Sequence, residues 1–313
     1  MTTPQFALGA MSFGTTVDRD TSMALLDRFA ARGGRWIDTA NCYSFWADPS
    51  GVGGQSETLI GEWLTARDGV RDRILISTKV GQQPTAAGKW PESAEGLSPA
   101  VIHAAVRDSL RRLRTDRIDL YWAHAEKRDD PLAETVAAFG ATVRDGLVRR
   151  LGASNHTAWR VERARALARE QGVTGWTALQ LRHSYVHPRP WAVVPEGGHR
   201  LATAETLDYA ASEDDVDLWV YSSLLSGAYT RADRPMHEIY DHPGTTRRLA
   251  VLAEVSAETG ATPHQVVLAW LTGGTPGIVP IVGVSREDQL DEAFEAMELR
   301  LTEDQRRRMD QPV

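Results

Sequence analysis

The sequence sets an aspartate, a tyrosine, a lysine and a histidine where proton chemistry can use them. Asp38 ends a short apolar run, and Tyr43 follows five residues later in RWIDTANCYSFW (35–46). Lys79 lies near the end of ILISTKV, and His124 ends IDLYWAH. A phenol has an ordinary pKa of about 10. It becomes a useful acid near neutral pH only with help, and an adjacent ammonium gives that help by favouring the phenolate. A carboxylate beside the ammonium keeps the lysine charged and in place. A histidine on the other side orients a carbonyl by hydrogen bonding. Asp38, Tyr43, Lys79 and His124 are therefore expected to form a proton-delivery set for carbonyl reduction. Singly, each has a plainer reading: a turn-forming aspartate, a solvent-reaching lysine, a satisfied core histidine. Their convergence carries the assignment. Cys42 is the only cysteine in the chain. With no partner thiol, it is expected to be a small buried filler.

Convergence needs a scaffold, and the chain offers a regular one. Short β-prone runs recur at FALG (6–9), RWIDTA (35–40), ILISTKV (74–80), IDLYWAH (118–124), VRRLGAS (148–154), ALQLRHS (178–184), LWVYSS (218–223) and IVPIVGVS (278–285). Helical periodicity fills the gaps between them. SPAVIHAAVRDSLRRLR begins with Ser98 as N-cap and Pro99 in the first turn. PLAETVAAFGATVRDG stops at Gly146, and TTRRLAVLAEVSAETG stops at Gly260. TPHQVVLAWL has Thr262 as cap and Pro263 just inside. Strands alternating with helices predict an α/β fold with parallel strands. Eight such units in 313 residues predict a single (β/α)8 TIM barrel with long loops on its C-terminal face, one domain over residues 1–313. In such a barrel, polar groups at the C-terminal strand ends are catalytic candidates.

Composition excludes several alternatives. A hydrophobic fraction of 42% with 25% charged residues is ordinary globular composition. The net charge of -7, without a Lys/Arg block, argues against nucleic acid as a partner. No apolar run approaches the ~20 residues of a membrane span, and MTTPQFALGA carries no secretory signal pattern. A cytoplasmic protein with a small-molecule substrate is expected. His183, His187 and His199 fall in no metal-ligand spacing, so no metal site is expected. Nothing in the sequence specifies an oligomeric state.

Six segments together resemble the aldo-keto reductases, nicotinamide-dependent (β/α)8 barrel enzymes. They are IDTANCY, ISTKV, SLRRLRTDRIDLYWAH, GLVRRLGASN, YSSLLSG and PIVGVSREDQLDEA, in the family's order and over essentially the whole chain. The resemblance implies NAD(P)H-dependent reduction of an aldehyde or ketone, with Tyr43 as general acid, Asp38 and Lys79 tuning it, and His124 orienting the carbonyl. It implies that Ser154, Asn155 and Gln180 hold the nicotinamide carboxamide and that Tyr221 stacks on the ring. Gly9, Ala10, Met11 and Asp38 would lie by the nicotinamide ribose, and Ser222, Leu224 and Ser226 by the pyrophosphate. Gly283, Ser285, Arg286, Gln289 and Glu292 would line the adenosine end. The chain departs from the family pattern at Ala10, Leu225, Gln289 and Ala293, where many relatives carry Thr, Gly, Arg and Asn. Ser285 and Arg286 suit a 2′-phosphate, while Glu287 and Asp288 put negative charge nearby; family habit favours NADP(H) over NAD(H). No G-x-G-x-x-G follows a strand, which argues against a Rossmann dehydrogenase.

The substrate side is built from loops. Phe45 and Trp46 follow Tyr43, the long stretch GQQPTAAGKWPESAEGLS (81–98) adds Lys89 and Trp90, and the loop after the sixth run adds Tyr185, His187, Arg189 and Trp191. Tyr43, Phe45, Trp46, Trp90 and His124 are expected to contact a cyclic or hydroxylated carbonyl compound such as a sugar, a polyketide or an aromatic aldehyde. Two other readings remain open. One is a cofactor-binding regulatory subunit resembling potassium-channel β-subunits. The other is a barrel aldolase with Lys79 as Schiff-base nucleophile.

Overall fold

The computed structural model describes residues 5–194 and 198–311. Residues 195–197 of the loop after the sixth run, and both chain ends, lie outside the described residues. Eight strands form: β1 (Ala7–Gly9), β2 (Trp36–Asp38), β3 (Leu75–Val80), β4 (Ile118–Ala123), β5 (Val148–Ser154), β6 (Trp176–Arg182), β7 (Asp217–Tyr221) and β8 (Ile278–Gly283). They follow one another in chain order around a closed barrel. The pairings run parallel, with Asp38 opposite Ser77, Lys79 opposite Trp122, and Ser154 opposite Gln180. This is the (β/α)8 barrel the strand–helix rhythm predicts.

Two compact units divide the chain by contact density. One holds residues 7–180 with 283–287; the other takes in residues 181–282 and those from 288 onward, with the first residues of the chain. In the first unit, alternation along β3 separates two jobs. Ser77 and Lys79 turn to the same side as Asp38, while Thr78 turns to the helices, where its hydroxyl donates to Glu57 at 2.6 Å. Glu57 is fully buried and also accepts from Arg112 at 2.7 Å. Removing one member of such a pair leaves a buried charge alone, at a cost of about 3–5 kcal/mol. The helices Gln55–Thr65 and Pro99–Leu113 approach so closely here that a Cβ on Gly61 would lie 2.1 Å from the Arg112 carbonyl oxygen.

Helix boundaries follow the sequence signals closely. Pro99 opens its helix with Ser98 at the cap position, although the serine side chain makes no capping bond. The helix Leu132–Arg144 ends just before Gly146. In the second unit, the helix Pro243–Thr259 ends at Gly260 in the left-handed region. The helix Pro263–Thr272 begins with a full capping box between Thr262 and Gln265. Among the described residues, no helix is long and apolar enough to cross a membrane.

Candidate active site

β2 and β3 bring three of the four proton-handling residues into one cluster. Lys79 is fully buried, and its Nζ donates to three oxygens: Asp38 Oδ2 at 2.5 Å, the Thr39 carbonyl at 2.7 Å and Tyr43 Oη at 2.9 Å. An ammonium has three hydrogens, so its capacity is filled. Asp38 is held from its other side by the Ser77 hydroxyl at 2.6 Å, with Gln180 Nε2 at 3.4 Å. The Asp38 carbonyl accepts from the Ala10 amide at 2.9 Å, tying the end of β1 to β2.

Tyr43 reaches this cluster from a turn. Its amide donates to the Ala40 carbonyl, and Ser44 after it adopts a left-handed backbone (φ 75°), with its hydroxyl donating to the Met11 carbonyl at 2.9 Å. His124 directly follows β4, its amide donating to the Val80 carbonyl. Its ring meets the Tyr43 ring edge to face, centroids 5.8 Å apart. The expected set of Asp38, Tyr43, Lys79 and His124 is thus assembled.

Its electrostatics differ from the expectation in one respect. Burial pushes the Tyr43 phenol well above its ordinary value, and the Asp38 carboxylate pushes the same way. The Lys79 ammonium, 2.9 Å from the phenol oxygen, favours the phenolate, and burial outweighs it. Burial also pulls the Lys79 ammonium down, against the upward hold of Asp38. The phenol therefore keeps its proton rather than being poised to lose it.

Beside this set, β5 and β6 end in polar groups removed from solvent. Ser154, Asn155 and Gln180 are 1%, 5% and 2% exposed. Asn155 takes a left-handed backbone (φ 56°); its Nδ2 donates to the His124 carbonyl and to Ser154 Oγ, both at 3.1 Å. Ala10 is buried and Met11 exposed, next to Gly9 at the end of β1. In the same unit, Gly283 passes Gly9, while Ser285, Arg286 and Glu287 are exposed; Asp288, the first residue of the other unit's last segment, is exposed too. Glu287 pairs with Arg28 at 3.1 Å, which blunts the negative charge foreseen there.

The other residues assigned to a cofactor lie in the second unit. Tyr221 ends β7 with the His199 ring on its edge, centroids 5.2 Å apart. After it, Ser222, Leu225 and Ser226 all have positive φ. Leu225, where the family pattern favours glycine, is at φ 48° with its side chain buried; the left-handed backbone costs about 1–2 kcal/mol, offset by the burial. Leu224 precedes it in the same short turn. Gln289 and Glu292 lie on the helix Glu287–Glu298. Both oxygens of Glu292 are engaged, with Thr262 Oγ1 at 2.5 Å and His264 Nδ1 at 3.3 Å, so it clamps the start of the neighbouring helix.

The expected substrate wall assembles in part. Phe45 packs edge-on against Trp46 (5.0 Å) and tilted against Trp90 (5.7 Å), and Trp46 reaches the Tyr43 ring at 6.4 Å. Trp90 Nε1 is buried with no hydrogen-bond partner among the described residues. The loop residues after β6 do otherwise. Tyr185 is buried against Trp270 with Arg248 over its ring, and Trp191 is 99% exposed. The His183 and His187 rings meet at a tilt, centroids 5.4 Å apart. Among the described residues, no group of three or more His, Cys, Asp or Glu is arranged to hold a metal ion.

Several participants carried no motif. Glu95, in the long loop after β3, accepts from Asn41 Nδ2 at 2.7 Å and from the Gly81 amide at 2.8 Å. Gln83 pairs with the backbone of Gly53 through both ends of its amide, at 3.3 and 3.4 Å. These contacts join the loop carrying Trp90 to the one carrying Phe45 and Trp46. Ser77 could have been found from strand periodicity, two residues before Lys79 on the same face. Glu95 gave no such signal, since its partners lie 54 and 14 positions away.

Comparison with known proteins agrees with this fold. The profile of the aldo/keto reductase family matches residues 5–312. The chain is 32% identical to the aldo-keto reductase ausK of Aspergillus calidoustus, over 95% of this chain and 76% of that protein. It is 30% identical to the norsolorinic acid reductase stcV of Emericella nidulans, over 95% of this chain and 75% of the relative. An aryl-alcohol dehydrogenase [NADP(+)] of Phanerodontia chrysosporium is also 30% identical, over 95% and 79%. The crystal structure of the thermostable aldo-keto reductase Tm1743, in complex with the inhibitor epalrestat, superposes with a TM-score of 0.74 at 25% identity, covering 98% of this chain and 94% of that one. With a family match over nearly its full length and eight parallel strands in a closed barrel, the chain belongs to the aldo/keto reductase family of NAD(P)H-dependent oxidoreductases.

Proposed function

We propose that the protein reduces a ring-bearing aldehyde or ketone, with Tyr43 giving the proton to the carbonyl oxygen. One observation carries this reading: Lys79 fills its three donor positions, one of them on the Tyr43 oxygen. With that oxygen accepting from Lys79, the phenol's own hydrogen is free to serve a second acceptor. Asp38 and Lys79 fix the tyrosine, and His124 orients the carbonyl. A bound nicotinamide cofactor supplies the hydride. Ser154, Asn155 and Gln180 fit such a cofactor: a buried hydroxyl and two amides at adjacent strand ends match the donor and acceptor ends of a carboxamide. Gly9, Ala10 and Met11 would flank its ribose, and Tyr221, Ser222, Leu224 and Ser226 would take the nicotinamide face and pyrophosphate. Gly283, Ser285, Arg286, Gln289 and Glu292 would take the adenosine end, Glu292 by holding the helix that carries Gln289.

The cofactor we assign is NADP(H). The exposed Arg286, the pairing of Glu287 with Arg28, and the NADP(+)-linked aryl-alcohol relative support that choice. The aromatic chain of Phe45, Trp46 and Trp90, and relatives named for norsolorinic acid and aryl alcohols, support an aromatic substrate. Lys79, saturated and sealed from solvent, is poorly placed for Schiff-base chemistry.

The test is nicotinamide oxidation followed by absorbance across a panel of aromatic aldehydes, ketones and keto-sugars. Tyr43→Phe is expected to lower kcat about 100- to 10,000-fold while the cofactor still quenches tryptophan fluorescence. A Tyr43→Phe variant that turns over normally removes the tyrosine from the mechanism.

A further inference from the structure

Cys42 sits immediately before Tyr43 and is 3% exposed. Its Sγ lies 3.6 Å from His124 Nδ1, within hydrogen-bonding reach for sulfur. Both ends of this contact are fixed by the backbone. On the cysteine side, the Asn41 amide donates to the Lys79 carbonyl at 3.1 Å and the Phe45 amide to the Cys42 carbonyl at 3.3 Å. The returning loop presses on it so closely that a Cβ on Gly53 would lie 2.3 Å from the Cys42 carbonyl carbon. On the histidine side, the His124 amide donates to Val80 and the His124 carbonyl accepts from Asn155.

We propose that Cys42 is a positioning residue: its S–H donates to His124 Nδ1 and holds the ring in the tautomer that carries its proton on Nε2. In a neutral imidazole one nitrogen donates and the other accepts, and the partner of one decides the role of the other. The thiol carries a hydrogen that it can place on Nδ1, a good acceptor, whereas the opposite pairing would ask its weakly accepting sulfur to take an N–H. Burial pushes the Cys42 thiol up to about 12, so the thiol keeps the hydrogen this pairing needs. His124 is thereby set to offer an N–H from Nε2, the polarity a carbonyl oxygen requires. This inference rests on the proposed role of His124, but the tautomer can be measured without it.

Two measurements separate the two claims. Histidine labelled with 15N, with His124 assigned from a His124→Gln variant, reports the tautomer directly in the uncomplexed protein. The wild type is expected to show Nδ1 as the bare nitrogen and Nε2 as the protonated one. Cys42→Val, which keeps the bulk and removes the donor, is expected to lose that preference; Cys42→Ala carries the same measurement if valine disturbs folding. Cys42→Ser restores a donor and is expected to restore the tautomer. In turnover, Cys42→Val is expected to lower kcat about 3- to 10-fold, the range of a lost neutral hydrogen bond, with cofactor affinity unchanged and Cys42→Ser recovering most of the loss. A wild-type His124 protonated on Nδ1, a tautomer indifferent to Cys42→Val, or equal losses in the valine and serine variants would overturn the proposal. If no carbonyl is reduced at all, the functional reading fails while the labelled histidine still decides the role of Cys42.

Discussion

Tyr43 illustrates how burial can outweigh a neighbouring charge. Lys79 favours the phenolate and Asp38 opposes it, but burial is the larger effect and keeps the phenol protonated. The sign follows for pH dependence. In the proposed mechanism reduction needs the protonated phenol, and a raised pKa keeps that form populated to higher pH. The kcat for reduction is expected to show no loss from this group until the pH passes about 10, the ordinary tyrosine value. Alcohol oxidation needs the phenolate, and its rate is expected to rise about tenfold per pH unit below that pKa. Profiles measured in both directions check this; a reduction limb falling near neutrality that disappears in Tyr43→Phe would contradict it. The four proton-handling residues were legible in the sequence because each stands at or just beyond a strand end. The direction of the phenol's shift was not, because it turns on how far the folded chain removes that oxygen from water.

Among the elements, strand positions were legible and loop geometry was not. The eight β-prone runs fall within a few residues of β1 to β8, since burial on both faces makes each a short apolar block between turn signals. The long loop after β3 was recognisable by length alone. Its attachment depends on Glu95, a carboxylate that nothing in its neighbourhood distinguishes from a solvated one. Glu95 accepts from Asn41 and Gly81, and so anchors the segment that carries Trp90. Glu95→Leu is expected to speed hydrogen exchange at the amides of residues 81–97. It should raise KM for an aromatic substrate about tenfold, as two bonds to a charged acceptor are lost, with a smaller effect on kcat. Unchanged exchange would show that the Gln83–Gly53 pairing holds the loop by itself. The turn after β7 makes the same point, since a leucine occupies backbone space that favours glycine.

For the whole molecule, the histidines set the acid limit of stability. Burial pulls His183 down to about 3 and His187 to about 4, with Arg248 adding to both and His242 to the latter. The unfolded chain titrates these groups near 6.5. Below that pH the unfolded state binds protons that the folded state refuses, so stability is fully present above about 6.5 and is lost as the pH falls toward 4 and then 3. Each histidine contributes up to about 1.4 kcal/mol per pH unit in that window. Thermal unfolding between about pH 4 and pH 7 is expected to show a steep acid-side fall that His183→Asn and His187→Asn each flatten. A melting temperature independent of pH there would show that these rings are hydrated in solution.

The loop that begins at Tyr43 closes on itself, the Gly54 amide donating back to the Tyr43 carbonyl at 3.2 Å. Its first residue is pinned by Ser44 to the Met11 carbonyl, and its last turn by Gln83 to Gly53. Residues 45–52 therefore form a cassette with fixed ends. Selection, or a designer, can exchange the cassette for another sequence and so change which molecules are admitted. Tyr43, the proposed acid, belongs to the base of the loop and stays in place.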